Sequence, residues 1–388
     1  MPRITTGSTV LGVVLAGGAL LGAIEVRDHV RGAAFVVRAA DMQGRLRALA
    51  DAEASVFAER AASVPSRHGS LRARIFRPDG RVDRAFVLVP GVHAGGIDEP
   101  RLVRFAREMT RGEVAVVAMD LPDLMEYRIT PRVTDMIEDA IVWTASQRDL
   151  APDGRAGVMG ISFAGGLGMV AAGRAGVRDR TVAAISLGGH GDLLRVLKFL
   201  CTGKLPDGSY VAPHDYGVVI VLLNVAEQMV PADQVEPLRS GIRTFLRASH
   251  VDMVDKPRAR GIFEEARRLE ASMVSPAREL MHYVNTRDVK ALGPLLVPHL
   301  GTMGAYPALS PEKSPRPASD VFLLHGTGDN VIPAQETSSL AAYMRGTNDG
   351  PEVRALISPL ITHAEVDREK TALEVWKLVR FWTDVFDE

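Results

Sequence analysis

Short, nearly continuous apolar runs separated by stretches of helical pattern constrain this chain more than any other feature. The runs lie at 85–90, 114–119, 156–161, 182–187, 321–324 and 353–357. Helical patterning fills most of the gaps, at 100–110, 132–148, 164–173 and 334–345, and returns at 367–385. A strand that is apolar on both faces has to be covered on both, which a parallel sheet flanked by helices achieves. The expected fold class is therefore α/β, with a mostly parallel sheet and helices on both faces.

One interval breaks the alternation. Between Gly188 and Asp320 the periodicity is helical and strand signals are few. The interval holds the apolar run 217–225 and helical stretches at 235–248, 258–273 and 276–284. The proline-rich segment Ser310-Pro311-Glu312-Lys313-Ser314-Pro315-Arg316-Pro317 then leads back to the sheet. We expect a large helical cap inserted at 190–319, which divides the core into 67–189 and 320–388. Before the core, 71–76 alternates like a half-exposed strand and stops at the turn Arg77-Pro78-Asp79-Gly80. Residues 35–63 read as one amphipathic helix, the main part of a helical linker over 31–66.

The first 30 residues read differently again. No charge occurs between Ile4 and Ile24, and 10–24 is wholly apolar. As a helix that uncharged stretch reaches about 30 Å, enough to cross a bilayer. The expectation is an N-terminal transmembrane helix within 1–30, a single-pass membrane anchor. A cleaved signal peptide is the rival reading, although no clean small-residue cleavage site follows the apolar run. Arg3 precedes the run and Arg27 and Arg31 follow it, which slightly favours a cytoplasmic core domain.

Composition removes other classes. With 46% hydrophobic and 24% charged residues the chain is globular rather than disordered. Its net charge is −1 and no basic stripe with interleaved aromatics occurs, so nucleic acid is not an expected partner. A single cysteine, Cys201, leaves no intrachain disulfide and no cysteine-based zinc cage, and it reads as a buried apolar side chain. Acidic residues with metal-ligand spacing are absent from the sequence, so neither a metal nor another cofactor is expected.

The chemistry concentrates in Val158-Met159-Gly160-Ile161-Ser162-Phe163-Ala164-Gly165. An apolar run ends there in a small-residue turn with a serine at its apex, and a helical stretch follows. Gly160 and Ala164 flank Ser162 because so sharp a turn leaves no room for larger side chains. The common pattern is G-x-S-x-G, and alanine stands here in the last place. Serine is a poor nucleophile unless a neighbouring base takes its proton, and that base needs a carboxylate to fix its tautomer. The run 321–324 leads into His325-Gly326-Thr327-Gly328-Asp329-Asn330-Val331-Ile332-Pro333, and the run 353–357 leads through Ser358-Pro359-Leu360-Ile361-Thr362 to His363. Ser162, Asp329 and His363 each follow the end of a strand, so an open parallel sheet collects them at one edge. Asp192, in Gly188-Gly189-His190-Gly191-Asp192, is the substitute acid.

The order Ser162, Asp329, His363 in these strand contexts resembles the α/β-hydrolase superfamily, from roughly 71 to the C-terminus without the insertion. The segment Leu88-Val89-Pro90-Gly91-Val92-His93-Ala94-Gly95-Gly96 is similar to that superfamily's loop after the third strand. The resemblance implies Ser162 as nucleophile, His363 as base and Asp329 as acid. It also implies an oxyanion hole from the backbone N–H of Phe163 joined by that of Val92 or of its neighbour His93. The His93 side chain either orients this loop or touches substrate. The implied reaction is hydrolysis of a carboxylic ester or thioester through an acyl-enzyme. The superfamily fixes a mechanism better than a substrate.

Within the insertion, the run 217–225 with Met229, Met273 and Met281 either lines an acyl-chain site or forms the cap's own core. A small-molecule ester or lipid-like substrate is expected, weakly favoured by the anchor. An acyltransferase using the same three residues is the first alternative. A non-catalytic protein of this fold, with the cap as a partner surface, is the second. Two further motif matches fail on geometry. Gly166-Leu167-Gly168-Met169-Val170-Ala171 fits G-x-G-x-x-A but begins inside a helical stretch, out of reach of a phosphate. Ser310-Pro311-Glu312-Lys313 fits S-x-x-K but is broken by proline.

Overall fold

The structure, a computed structural model, describes residues 27–80, 82, 84–346, 351–362, 365–366 and 372–387. Strands β1 (Phe57–Ser66), β2 (Gly69–Pro78), β3 (Arg84–Val89), β4 (Val114–Met119), β5 (Ala156–Ile161), β6 (Thr181–Leu187), β7 (Asp320–Gly326) and β8 (Val353–Ser358) form one sheet. Its order is β1-β2-β4-β3-β5-β6-β7-β8. Strand β2 is antiparallel to β1 and β4, and every pairing from β4 to β8 is parallel. The six apolar runs of the sequence are the six parallel strands.

Their continuous apolarity follows from two cores, one on each face. In β3, Ala85, Val87 and Val89 belong to one buried cluster and Phe86 and Leu88 to the other. In β4, Ala115, Val117 and Met119 alternate in the same way with Val116 and Ala118. Helices Pro131–Ser146, Phe163–Ala172 and Gln335–Arg345 cover the first face, while Pro100–Arg111 and Ala372–Asp387 cover the second.

The N-terminal region departs from expectation in two ways. Among the described residues no helix is long and apolar enough to cross a membrane. The apolar run 10–24 lies outside the described residues, and the part of 1–30 that is described belongs to a helix over 27–39 packed on the core. Phe35 is buried there, its ring centroid 4.3 Å from that of Trp382. Gly32 approaches the C-terminal helix so closely that a Cβ would lie 2.8 Å from the Thr383 nitrogen. Arg38 is buried too, its Nε donating to Glu108 Oε2 at 2.7 Å and its Nη1 to the Ala50 carbonyl at 2.6 Å. The expected transmembrane helix, with the membrane attachment and localisation built on it, is corrected accordingly.

The single helix over 35–63 is also corrected. The 27–39 helix ends before Asp41 and Gly44, both at positive φ, and a short helix Arg45–Ala52 follows. Residues 57–66 are the edge strand β1, paired with β2 over ten residues. Its composition, Phe-Ala-Glu-Arg-Ala-Ala, favours helix locally, but the partner strand decides the outcome. Between β6 and β7 the described chain is helical, with Leu193–Thr202, Asp215–Met229, Ala232–Asp252, Lys256–Ser272, Ala277–Thr286, Val289–Leu296 and Leu300–Gly304.

Candidate active site

Strand β5 runs directly into Ser162, which sits at φ 57°, ψ −133°, and the helix Phe163–Ala172 starts at the next residue. A non-glycine residue at such angles is strained and persists only where its surroundings over-determine it. Here the Ser162 N–H donates to the Leu187 carbonyl at 2.7 Å, and the Ser162 carbonyl accepts from Gly165 N–H at 2.8 Å. Gly160 has to be glycine, because a Cβ would run into the Ala164 carbonyl and come within 2.6 Å of the Gly165 nitrogen. It is the Ala164 backbone that crowds Gly160, so alanine at position 164 is accommodated, fully buried, in the first turn of the helix. Gly91 abuts the turn from the other side, where a Cβ would lie 3.6 Å from Ser162 Cβ.

Ser162 opens on a cavity of about 1030 Å³, lined also by Val92, Phe163, Tyr216, His250 and Asp329. Phe163 is the first residue of its helix, so its N–H belongs to the group of amides a helix start leaves without internal partners. Among the described residues neither that N–H nor the N–H of Val92 is spent on a protein acceptor. Ser162 itself stands at the N-terminus of this helix, the positive end of its dipole.

Asp329 lies three residues past β7 and is 7% exposed. Its Oδ1 accepts from the N–H of Val331 at 2.8 Å and of Ile332 at 3.0 Å, which pins the carboxylate. Beneath it, His325 is fully buried. Its Nε2 donates to the Ile332 carbonyl at 2.8 Å and stands 3.4 Å from Asp329 Oδ2, leaving Nδ1 to accept from Thr337 Oγ1 at 2.6 Å. The substitute acid, Asp192, is engaged elsewhere. It caps the helix Leu193–Thr202 through Arg195 N–H and pairs with Lys313 at 2.7 Å. His363 lies outside the described residues. The preceding pair Ile361–Thr362 packs where β7 ends, so close that a Cβ on Gly326 would overlap the Ile361 carbonyl.

His93 is held at both ring nitrogens. Its Nδ1 accepts from Gly95 N–H at 3.0 Å, so the proton is on Nε2, which donates to His250 Nδ1 at 2.6 Å. Burial, followed by the adjacent His250, pushes the His93 pKa down to about 4. Burial also lowers that of His250. Sequence reading missed His250, and it missed Tyr216, whose hydroxyl donates to the Val92 carbonyl at 3.3 Å. Neither carries a local signal, since each lies in an ordinary helical stretch more than 100 residues from its partner.

The rejected motifs are structural. Gly166 lies inside the elbow helix, where a Cβ would meet the His190 ring at 2.6 Å. Ser310 Oγ accepts from Leu193 N–H. Cys201 is buried, and burial pushes its thiol up to about 12. Among the described residues no cluster of histidine, cysteine, aspartate and glutamate is placed to hold a metal.

No family model matches the sequence, and no curated protein resembles it significantly. Solved structures do resemble it. A thermophilic carboxylesterase cloned from a metagenomic library is 15% identical over 95% of this chain and 96% of that one, with a TM-score of 0.43. A hyperthermophilic esterase from the archaeon Pyrobaculum calidifontis is 16% identical over 86% and 82%, with a TM-score of 0.41. A dienelactone hydrolase from Anabaena variabilis is 22% identical over 35% of this chain and 66% of that one, with a TM-score of 0.31.

Proposed function

We propose that this chain, whose fold is that of the α/β-hydrolase superfamily, is a serine hydrolase that cleaves carboxylic esters or thioesters. The observation that carries the reading is the strained Ser162, held at a strand–helix elbow and opening on a large cavity. Ser162 Oγ attacks the acyl carbon as His363 takes its proton. The tetrahedral oxyanion is met by the N–H groups of Val92 and Phe163, and Asp329 steadies the imidazolium. Collapse breaks the bond to the leaving group, which takes the proton from His363 and departs. Water, deprotonated by His363, then releases the acid and restores Ser162.

Leu197, Leu200, Ile220 and Val221 line the same cavity from the insertion, which suits a lipophilic acyl chain. Labelling with a fluorophosphonate probe tests the mechanism. Wild-type protein is expected to label, and Ser162→Ala and His363→Ala are expected not to. Turnover of p-nitrophenyl esters of rising chain length tests the substrate class. Absence of labelling in folded wild-type protein would refute the assignment.

A further inference from the structure

The loop from Pro90 to Gly95 offers two polar handles to the rest of the molecule, the Val92 carbonyl and the His93 imidazole. Each is taken by a different helix of the insertion. Tyr216, at the start of Asp215–Met229, donates to the Val92 carbonyl at 3.3 Å. His250, near the end of Ala232–Asp252, accepts from His93 Nε2 at 2.6 Å, the two rings lying edge to face with centroids 4.0 Å apart. The chain just before Tyr216 holds the acid loop as well. The His214 N–H donates to the Asn330 carbonyl at 2.9 Å, and Asn330 Nδ2 donates to the Ala212 carbonyl at 3.5 Å.

Resting on the serine-hydrolase reading, we propose that Tyr216 and His250 are positioning residues for the oxyanion hole: the insertion holds the Val92 amide in place, and the hole is complete only with the insertion seated. The Val92 carbonyl and the His93 imidazole are anchored just past the Val92 amide, so the loop that carries this amide is fixed at two points. The amide hydrogen of Val92 is then aimed before substrate arrives, as stabilisation of a transition-state charge requires. The internal bond from Gly95 N–H to His93 Nδ1 completes the clamp by forcing the Nε2–H tautomer that His250 can accept. Both imidazoles are held neutral by burial, the state in which this donor–acceptor pair exists.

The test is steady-state kinetics on p-nitrophenyl butyrate, a short ester that uses little of the cavity. Tyr216→Phe keeps the ring and removes only the hydroxyl, and is expected to lower kcat about tenfold with KM unchanged. His250→Ala is expected to do the same. His250→Asn, whose amide oxygen can accept from His93, is expected to recover most of the loss. Unfolding midpoints confirm that each variant is folded. Wild-type kcat in both Tyr216→Phe and His250→Ala, or a raised KM at constant kcat, would overturn the proposal. Failure of the underlying reading looks different, because wild-type turnover would then be absent or would survive Ser162→Ala.

Discussion

Acidification puts the His93–His250 pair to a quantitative test through stability alone. Burial first, and then the facing His250, lowers His93 to about 4; Glu99 opposes the shift and Arg101 adds to it. His250 is lowered by burial, with Glu99 and Arg101 acting in the same senses. A histidine in the unfolded chain titrates near 6.5, so between about pH 6.5 and 4 the unfolded state binds the proton that the folded state refuses. His93 therefore contributes stability that is fully present above the unfolded pKa and is lost as pH falls through that window. At about 1.4 kcal/mol per unit the ceiling is about 3 kcal/mol, and contact of the partly exposed ring with water reduces it to ~1–2 kcal/mol. Urea unfolding of wild type and His93→Gln at pH 7, 6, 5 and 4 reads the contribution of the coupled pair, because titrating groups away from His93 and His250 cancel in the difference. The gap between the two proteins should shrink by that amount on the acid side. Parallel stability profiles, or an NMR titration midpoint for His93 near 6.5, would refute the reasoning.

Two further outcomes follow from packing. Gly160→Ala drives a methyl group into the Ala164 carbonyl, so ester turnover and fluorophosphonate labelling of Ser162 should both fall by at least ~100-fold while the fold survives. Arg38→Ala leaves the Glu108 carboxylate buried without its guanidinium and should cost about 3–5 kcal/mol in urea unfolding, most of it recovered by the double change Arg38→Met, Glu108→Leu.

How much of this was legible depended on whether the governing contacts were local. Strands β3 to β7 read clearly because helices cover both their faces, and that requirement is written as continuous apolar runs, whereas the edge strand β8 carries Arg354 and is only partly buried. Strand β1 was unreadable for the opposite reason. At the sheet's edge Ala58 to Ala61 face solvent, so their identities follow no pattern, and pairing with β2 imposes the conformation. The positions of Ser162 and Asp329 past the ends of β5 and β7 were readable because strand ends and tight turns demand particular small or acidic residues nearby. The demand for Tyr216 and His250 comes from a loop far away in sequence, and a tyrosine or histidine on a helix face announces no partner. The anchor expectation rested on apolarity at 10–24, whereas the described helix that follows carries Arg27, Asp28, Arg31 and Arg38 and is committed to the core.

The two halves of the proposed site are thus held by different parts of the molecule. Keeping Ser162 at positive φ costs about 1–3 kcal/mol. That cost is offset by the elbow helix, buried along its whole length, and by the Leu187 carbonyl at the end of β6. These restraints belong to the sheet and its first covering layer. The Val92–His93 loop instead accepts a hydrogen bond from Tyr216 and donates one to His250, both on the insertion. If the insertion shifts, the nucleophile and the Phe163 amide keep their geometry while the proposed Val92 donor loses its own. A serine hydrolase built this way would control its rate through how the insertion seats rather than through the reactivity of Ser162 itself. It is for this reason that the kcat of Tyr216→Phe, rather than its labelling alone, discriminates between a passive cover and a working part of the site.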